Sequence, residues 1–429
     1  MIINFSIENF GSIKKEQKIS FLAENSDFLE EYYIVRKGKY RLLKLLLLYG
    51  ANASGKTTVL QALDFLRDLV LFPASSKNEK LEYSPFMFDP STRKAPSKLT
   101  LDFIHKDIRF DYKIVFNRHA ILREELKYYQ PNKATLYRRE TDQEKKLTRI
   151  EFGSKIKIPA QNIHSLEANT LWNNTVLGGY LKTNITIPEL QIATDWFEQY
   201  LQPLIKSDDK LEEFVTMEID EGRIKSKDVI KILKKADFNI SSIKIKTKDI
   251  SWAGGLILDL LKDPDSASAY HISKSLSQKL YKIQLGHKVR DKIFYLPFDL
   301  ESSGTRRFYG LAGILTLLLK KSVLFPIDEL EASIHPDLFN YFILLFLVNS
   351  RSSQIISTTH NREILSQTDM IRDDALWITD KNNEDSATEI YSFAHFDTSV
   401  IRKSTNRLNL YKSGRIGGIP LTRDLYLDL

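Results

Sequence analysis

The chain has 429 residues, 42% hydrophobic and 27% charged, with no cysteine. That length suits two or three structural units with an ample core, and the composition excludes disordered, collagenous and disulfide-stapled classes. With 62 basic and 55 acidic residues the net charge is +7, too mild to imply nucleic acid by itself. The longest apolar runs fall well short of the ~20 residues that span a bilayer. The first ten residues, MIINFSIENF, lack the basic-then-apolar layout of a secretory signal. A soluble cytoplasmic protein with no membrane partner is therefore expected.

In chain order, residues 2–7 and 18–22 predict strands, and 42–49 is a near-continuous hydrophobic run. Such a run, ended by Gly50, suits a strand buried on both faces of an α/β sheet. The spacing of Val59, Leu60, Leu63, Leu66, Leu69 and Val70 predicts a helix over 56–71. Alternation such as Leu99, Leu101, Phe103 and Tyr112, Ile114, Phe116 predicts antiparallel strands through 99–130, with turns near residues 105–107 and 117–118. Helical patterns dominate about 185–285, interrupted by a strand over 241–248 with Ile243 and Ile245 on one face and lysines on the other. From 293 a βα alternation returns: strand 293–298, helix 305–319, strand 323–327, helix 336–348, strand 354–358. Pro326 predicts a bulge or an early end to its strand, because proline removes a ladder hydrogen bond.

The strongest signal is Gly50-Ala-Asn-Ala-Ser-Gly-Lys-Thr57, a full G-x-x-x-x-G-K-[ST] set between a predicted strand and a predicted helix, the context this motif requires. Its glycines let backbone N–H groups curl around phosphate oxygens at a helix N-terminus. Gly50, Asn52, Ala53, Ser54, Gly55, Lys56, Thr57 and Thr58 are thus expected to hold ATP, with Lys56 on the β- and γ-phosphates and Thr57 on Mg²⁺. A second hydrophobic strand ends in Asp328-Glu329, which places one carboxylate near the metal and the next near an attacking water. Alone, such a pair is more simply two solvated acids; the phosphate loop tips the reading towards function. Strand 354–358 leads into Thr359-His360, and His360 sits beside Asp328 and Glu329 if the two strands are neighbours. Ser302-Ser303-Gly304 opens the helix ahead of the Asp-Glu strand, either as an anion site through exposed N–H groups or as a plain N-cap.

In this order the four motifs resemble the ABC-type ATPase heads of the SMC, DNA-repair and OLD families. They look closest to the compact AAA-family ATPases of bacterial anti-phage and abortive-infection operons (AriA- and AbiL-like). Residues 7–13, Pro85-Phe-Met-Phe-Asp89, Asp328-Glu-Leu-Glu-Ala-Ser-Ile-His-Pro336, Thr358-Thr-His-Asn361 and the tail Tyr411-Lys-Ser-Gly-Arg-Ile-Gly-Gly-Ile-Pro420 carry the same likeness, which covers about 1–130 and 285–429 well and 131–284 poorly. The resemblance implies an α/β P-loop NTPase with a two-lobed, SMC-like head: an N-terminal lobe over 1–180, a compact, mainly helical insert over 181–290 and a C-terminal lobe over 291–429. It implies ATP hydrolysis with Mg²⁺ held by Thr57 and Asp328, Lys56 as catalytic cation, Glu329 polarising water and His360 as a switch histidine. Ser302, Ser303 and Gly304 become a signature that reaches the γ-phosphate of a second protomer, with Ser333 at the same interface. The implied partners are further copies of the chain, in a dimer or larger ring, and a nuclease or toxin effector held and released by the ATPase. Two departures stand out: Gly11 replaces an arginine common in such relatives, and the Q-loop glutamine has no counterpart, Asp89 being the residue in that region.

Charge distribution adds one more feature. Residues 221–248 hold nine lysines and arginines against three acids, just after an acidic run over 208–220. Lys227, Lys231, Lys234 and Lys235 share a helical stripe, and Lys244, Lys246 and Lys248 share a strand face. These arrays suit a protein partner or sequence-independent DNA, although charge runs are commonly just solvated faces. An SMC-like ATPase acting on DNA in repair or tethering is accordingly the competing reading. A transporter subunit fits less well, because the middle of the insert is charged.

Overall fold

The computed structural model describes residues 1–249, 279–396 and 407–419. The chain divides into two units. The first joins Met1–Ser207, Lys321–Leu330 and Leu347–Leu429; the second joins Asp208–Lys320 and Glu331–Phe346.

In the first unit, Leu45–Gly50 is the middle strand of a five-stranded sheet. The order is Leu324–Ile327, Gln354–Thr358, Leu45–Gly50, Leu376–Lys381, Thr388–Ser392. The first four strands run parallel and the last is antiparallel to its neighbour. Every residue from Leu45 to Gly50 is buried, as a parallel strand covered on both faces requires. The hydrophobic run predicted as one strand breaks at Lys44, because Tyr40–Leu43 pairs with Ile34–Lys37 in a separate hairpin. The Lys44 ammonium is buried and donates to Leu347 O at 2.6 Å and Ser350 O at 2.9 Å, around the end of the helix Pro336–Asn349. A cation satisfies helix-terminal carbonyls in this way, while burial lowers the lysine's pKa to about 8.

Pro326 produces neither the expected bulge nor an early strand end. Leu324–Ile327 keeps an unbroken parallel register, with Pro326 opposite Ile356. This strand lies at the sheet edge, where a missing N–H is tolerated, and the Pro326 carbonyl accepts from Ile205 N at 2.9 Å.

A seven-stranded antiparallel sheet completes this unit, ordered Leu147–Phe152, Lys133–Asp142, Ile121–Tyr129, Ile108–Phe116, Ser97–His105, Ile2–Glu8, Gln17–Ser20. The strands predicted within 99–130 are present, and Lys133–Asp142 and Leu147–Phe152 extend the sheet beyond them. The alternation of these added strands is masked by a buried arginine. Arg139 is 1% exposed and its guanidinium lies 3.9 Å from the Glu124 carboxylate. Glu124 in turn accepts from Tyr112 Oη at 2.9 Å, Tyr137 Oη at 2.6 Å and Val176 N at 2.9 Å. Burial pushes the Glu124 carboxyl up and the Arg139 guanidinium down.

The two sheets meet at Gln354. Its Oε1 accepts from Ile2 N at 2.7 Å and Tyr200 Oη at 3.1 Å, and its Nε2 donates to Leu43 O at 3.0 Å and Ile2 O at 3.2 Å. A fully buried amide is thereby satisfied on both ends, which fixes the register between strands far apart in sequence.

The second unit contains the helices Leu211–Asp220, Ser226–Lys235 and Ser303–Lys320. It also holds a three-stranded antiparallel sheet, Ile240–Asp249, Lys279–Val289 and Lys292–Pro297. Lys279–Val289 is a strand although helical patterning was expected up to about 285. Lys292–Pro297, expected to restart the βα alternation, instead closes this local sheet. The rest of the predicted helical stretch, 250–278, lies outside the described residues, as does Pro420 of the tail motif. Among the described residues, no helix is long and apolar enough to cross a membrane.

Candidate nucleotide site

Gly50 ends the central strand, and the chain turns through Ala53 (φ 60°) and Gly55 (φ 98°) into the helix Lys56–Leu71. Both loop glycines are required by close approach. A β-carbon at Gly55 would stand 2.2 Å from Thr388 Oγ1, and one at Gly50 would stand 2.3 Å from Thr379 Oγ1. Asn52 and Ala53 are exposed at the loop tip. Lys56 is only 6% exposed, and its ammonium is folded back onto Gly50 O and Ala51 O, each at 3.0 Å.

Two of the predicted loop residues spend their hydroxyls on the surrounding protein. Ser54 Oγ lies 2.6 Å from Thr379 Oγ1, and Thr58 Oγ1 lies 3.0 Å from Ser12 Oγ. Thr388 Oγ1 completes the belt, 2.7 Å from Ser12 Oγ and 2.9 Å from Ser54 O. Ser12, Thr379 and Thr388 therefore hold the loop from outside. Sequence reasoning missed them, since a single hydroxyl residue in or beside a strand has no local signature.

The residues expected to hold Mg²⁺ come together across the sheet. Thr57 Oγ1 is 3.1 Å from both carboxylate oxygens of Asp328. Thr358, at the end of the intervening strand, donates its hydroxyl to Asp328 Oδ1 at 2.6 Å and accepts from Glu329 N at 2.7 Å. One threonine thus fixes the carboxylate of one acid and the backbone of the next. A hydroxyl facing a carboxylate is a hard oxygen donor set, which suits Mg²⁺. Among the described residues, no group of three or more His, Asp or Glu gathers around a metal position. Further ligands would then be phosphate oxygens and water, as is usual for this ion. His360 Nε2 lies 3.9 Å from Glu329 Oε1, with the two side chains 41% and 43% exposed. A polar separation of that size accommodates a bridging water.

In the second unit, Ser302 Oγ accepts from Thr305 N at 3.0 Å and lies 2.8 Å from Thr305 Oγ1, which makes it the N-cap of the helix Ser303–Lys320. Ser302 and Ser303 remain exposed. A β-carbon on Gly304 would stand 3.1 Å from Ser333 O, so the Ser302–Gly304 turn lies close to Ser333. Arg307, one turn further, is buried; burial pushes its guanidinium down while Asp209, Glu212, Glu331 and Asp208 push it back up.

The departures also have positions in the first unit. Gly11 (φ +57°) abuts the start of the phosphate-loop helix, where a β-carbon would stand 2.7 Å from Thr58 Cγ2. Asp89 caps a short helix, accepting from Ser91 N at 2.8 Å and Ser91 Oγ at 2.7 Å, with Lys14 Nζ 3.1 Å away. These contacts hold its carboxyl down at about 2, so the side chain is committed to local structure. Gly418 in the tail packs against the loop: its β-carbon position is 3.3 Å from Gly50 Cα, and its carbonyl accepts from Tyr411 Oη at 2.8 Å.

A glycine loop after a buried strand, a Lys-Thr helix start and an Asp-Glu strand end within reach of that threonine define a P-loop ATPase. Residues 45–171 and 193–366 match the family described as "AAA domain, putative AbiEii toxin, Type IV TA system", and the chain belongs to that family. Among solved structures it is similar to the SMC head domain from Thermotoga maritima, at 12% identity over 91% of this chain and 98% of that one, with a TM-score of 0.39. It is also similar to an SMC head bound to the C-winged helix domain of ScpA, at 13% identity over 91% and 97% of the two chains, with a TM-score of 0.43. No curated protein matches the chain.

The double role of Thr358 generates a prediction. Thr358→Val keeps the shape and removes the hydroxyl, leaving Asp328 and Glu329 N each short of a partner. Losing about 1.4 kcal/mol of transition-state positioning corresponds to a tenfold loss in turnover. Steady-state ATPase kinetics should show that loss in kcat, and a wild-type kcat would remove Thr358 from the site.

Proposed function

We propose that this chain is the Mg²⁺-dependent ATP-binding and ATP-hydrolysing subunit of an anti-phage defence module of the abortive-infection or toxin–antitoxin kind. In this reading it assembles around ATP and holds or releases a nuclease or toxin effector. The observation that carries the ATPase part is the convergence of Asp328, Glu329, Thr358 and His360, at the ends of two adjacent strands, on Thr57 at the start of the loop helix. Family membership supports the toxin–antitoxin setting.

The residues divide the work as follows. Backbone N–H groups of the loop and the Lys56 ammonium bind the phosphates, with Lys56 exchanging its bonds to Gly50 O and Ala51 O for phosphate oxygens. A bound Mg²⁺ would neutralise charge on the β- and γ-phosphate oxygens. In this reading Glu329 orients a water and takes up its proton, and His360 holds that water or the γ-phosphate from the other side. Ser302 and Gly304 of a second copy complete the site from the γ-phosphate side, their exposed turn supplying N–H donors at a helix N-terminus.

Glu329→Gln keeps the hydrogen-bonding shape and removes the base. It should bind ATP normally, turn over roughly 100-fold more slowly, and accumulate the assembled form on size-exclusion chromatography with light scattering. Turnover at the wild-type rate would refute the role of that carboxylate.

The shared site is tested by complementation. Ser302→Arg should abolish turnover while leaving ATP binding by the isolated chain intact, and Lys56→Ala should fail in its own loop. Mixed together they should recover part of the activity, since one complete site forms in each mixed dimer. No recovery, with mixed assemblies demonstrated, would contradict a site shared between copies.

A further inference from the structure

The three-stranded sheet of the second unit has a face with no part in the ATPase chemistry. Strand alternation places Lys244, Lys246, Lys282 and Lys288 on the side opposite the buried Leu285, and all four lysines are exposed. No described strand position on this face is an Asp or Glu; its other members include Ser242, Gln284, Ile293 and Tyr295. The four helix lysines, Lys227, Lys231, Lys234 and Lys235, are exposed as expected but belong to a separate element that also carries Asp228. The side chain of Lys248 lies outside the described residues.

Two details separate this face from an ordinary solvated surface. Lys246 and Lys282 are direct cross-strand partners. Like charges placed opposite one another destabilise a sheet, and among the described residues these two lysines make no ion pair. An anion touching both would offset that repulsion. Lys244 is held over the Tyr295 ring, 3.5 Å from its centroid, which fixes one ammonium on the face. Lysine is a point charge without the planar fork of arginine, so such a row follows phosphates rather than base edges.

We propose that this lysine face docks the phosphate backbone of duplex nucleic acid without sequence preference. This goes beyond the ATPase reading and does not depend on it. Four phosphate contacts contribute about 0.9 each to the slope of log affinity against log salt.

The test uses the full chain, with fluorescence anisotropy on two short duplexes of unrelated sequence, titrated between about 50 and 200 mM salt. Wild type should bind both alike. The variant Lys244→Glu/Lys246→Glu/Lys282→Glu/Lys288→Glu should lose about 3 to 4 units of slope and at least roughly tenfold in affinity, with ATP turnover unchanged. A milder variant, Lys246→Gln/Lys282→Gln, guards against misfolding. It should lose about 1.8 units of slope while its melting midpoint rises, because the opposed charges are gone. An unchanged slope in both variants overturns the proposal. So does retained duplex binding accompanied by loss of an acidic protein partner, which would assign the face to that protein.

Discussion

The first unit depends on one piece of parallel pairing, the register that sets Leu324–Ile327, Gln354–Thr358 and Leu45–Gly50 side by side. It is driven by apolar burial. The four leucines from Leu45 to Leu48 are each 0% exposed, and at about 1.5–3 kcal/mol apiece their burial contributes gross stabilisation on the order of 10 kcal/mol. With that register in place, the strand ends lie side by side. Thr57 then reaches Asp328, a residue 271 positions further along the chain, and Thr358 stands between Asp328 and Glu329. A slip of one residue in Gln354–Thr358 would turn Thr358 to the opposite face of the sheet, away from both acids.

Around this point the structure balances charge with small hydroxyl groups. Asp328 is held by Thr57 and Thr358, and the loop carbonyl of Ser54 by Thr388. Lys56, the one cation inside the loop, rests on loop carbonyls. Short hydroxyl side chains lose little conformational freedom and leave room for a phosphate group. Dipoles fixed before the substrate arrives need little reorganisation during the reaction, which is the main electrostatic advantage of such a site.

Much of this site is legible in the sequence because its parts are local. The strand, glycine loop and helix over 45–71 announce themselves by hydrophobic pattern and motif, and the acids after strand 324–327 by their position at the end of an apolar run. Strand order is another matter. Nothing local shows that Gln354–Thr358 lies between the other two strands, because parallel pairing joins distant segments. The hydroxyl belt of Ser12, Thr379 and Thr388 is invisible for the same reason. Elsewhere single residues misled the pattern. Lys44 splits what reads as one apolar strand, and buried Arg139 makes Lys133–Asp142 read as charged surface. The period-two alternation Tyr281, Ile283, Leu285 was present but overshadowed by helical patterning just before it. Pro326 reads as a strand breaker, but at a sheet edge its missing N–H leaves no strand unpaired.

The central claim is that Asp328 and Thr57 together place a metal ion on ATP bound at the phosphate loop. Isothermal titration of ATP into the full chain, with and without Mg²⁺, tests it most directly. The account predicts that Mg²⁺ tightens ATP binding by the wild-type protein and that Asp328→Asn loses this increment while still binding ATP without metal. An equal Mg²⁺ increment in both proteins would contradict it.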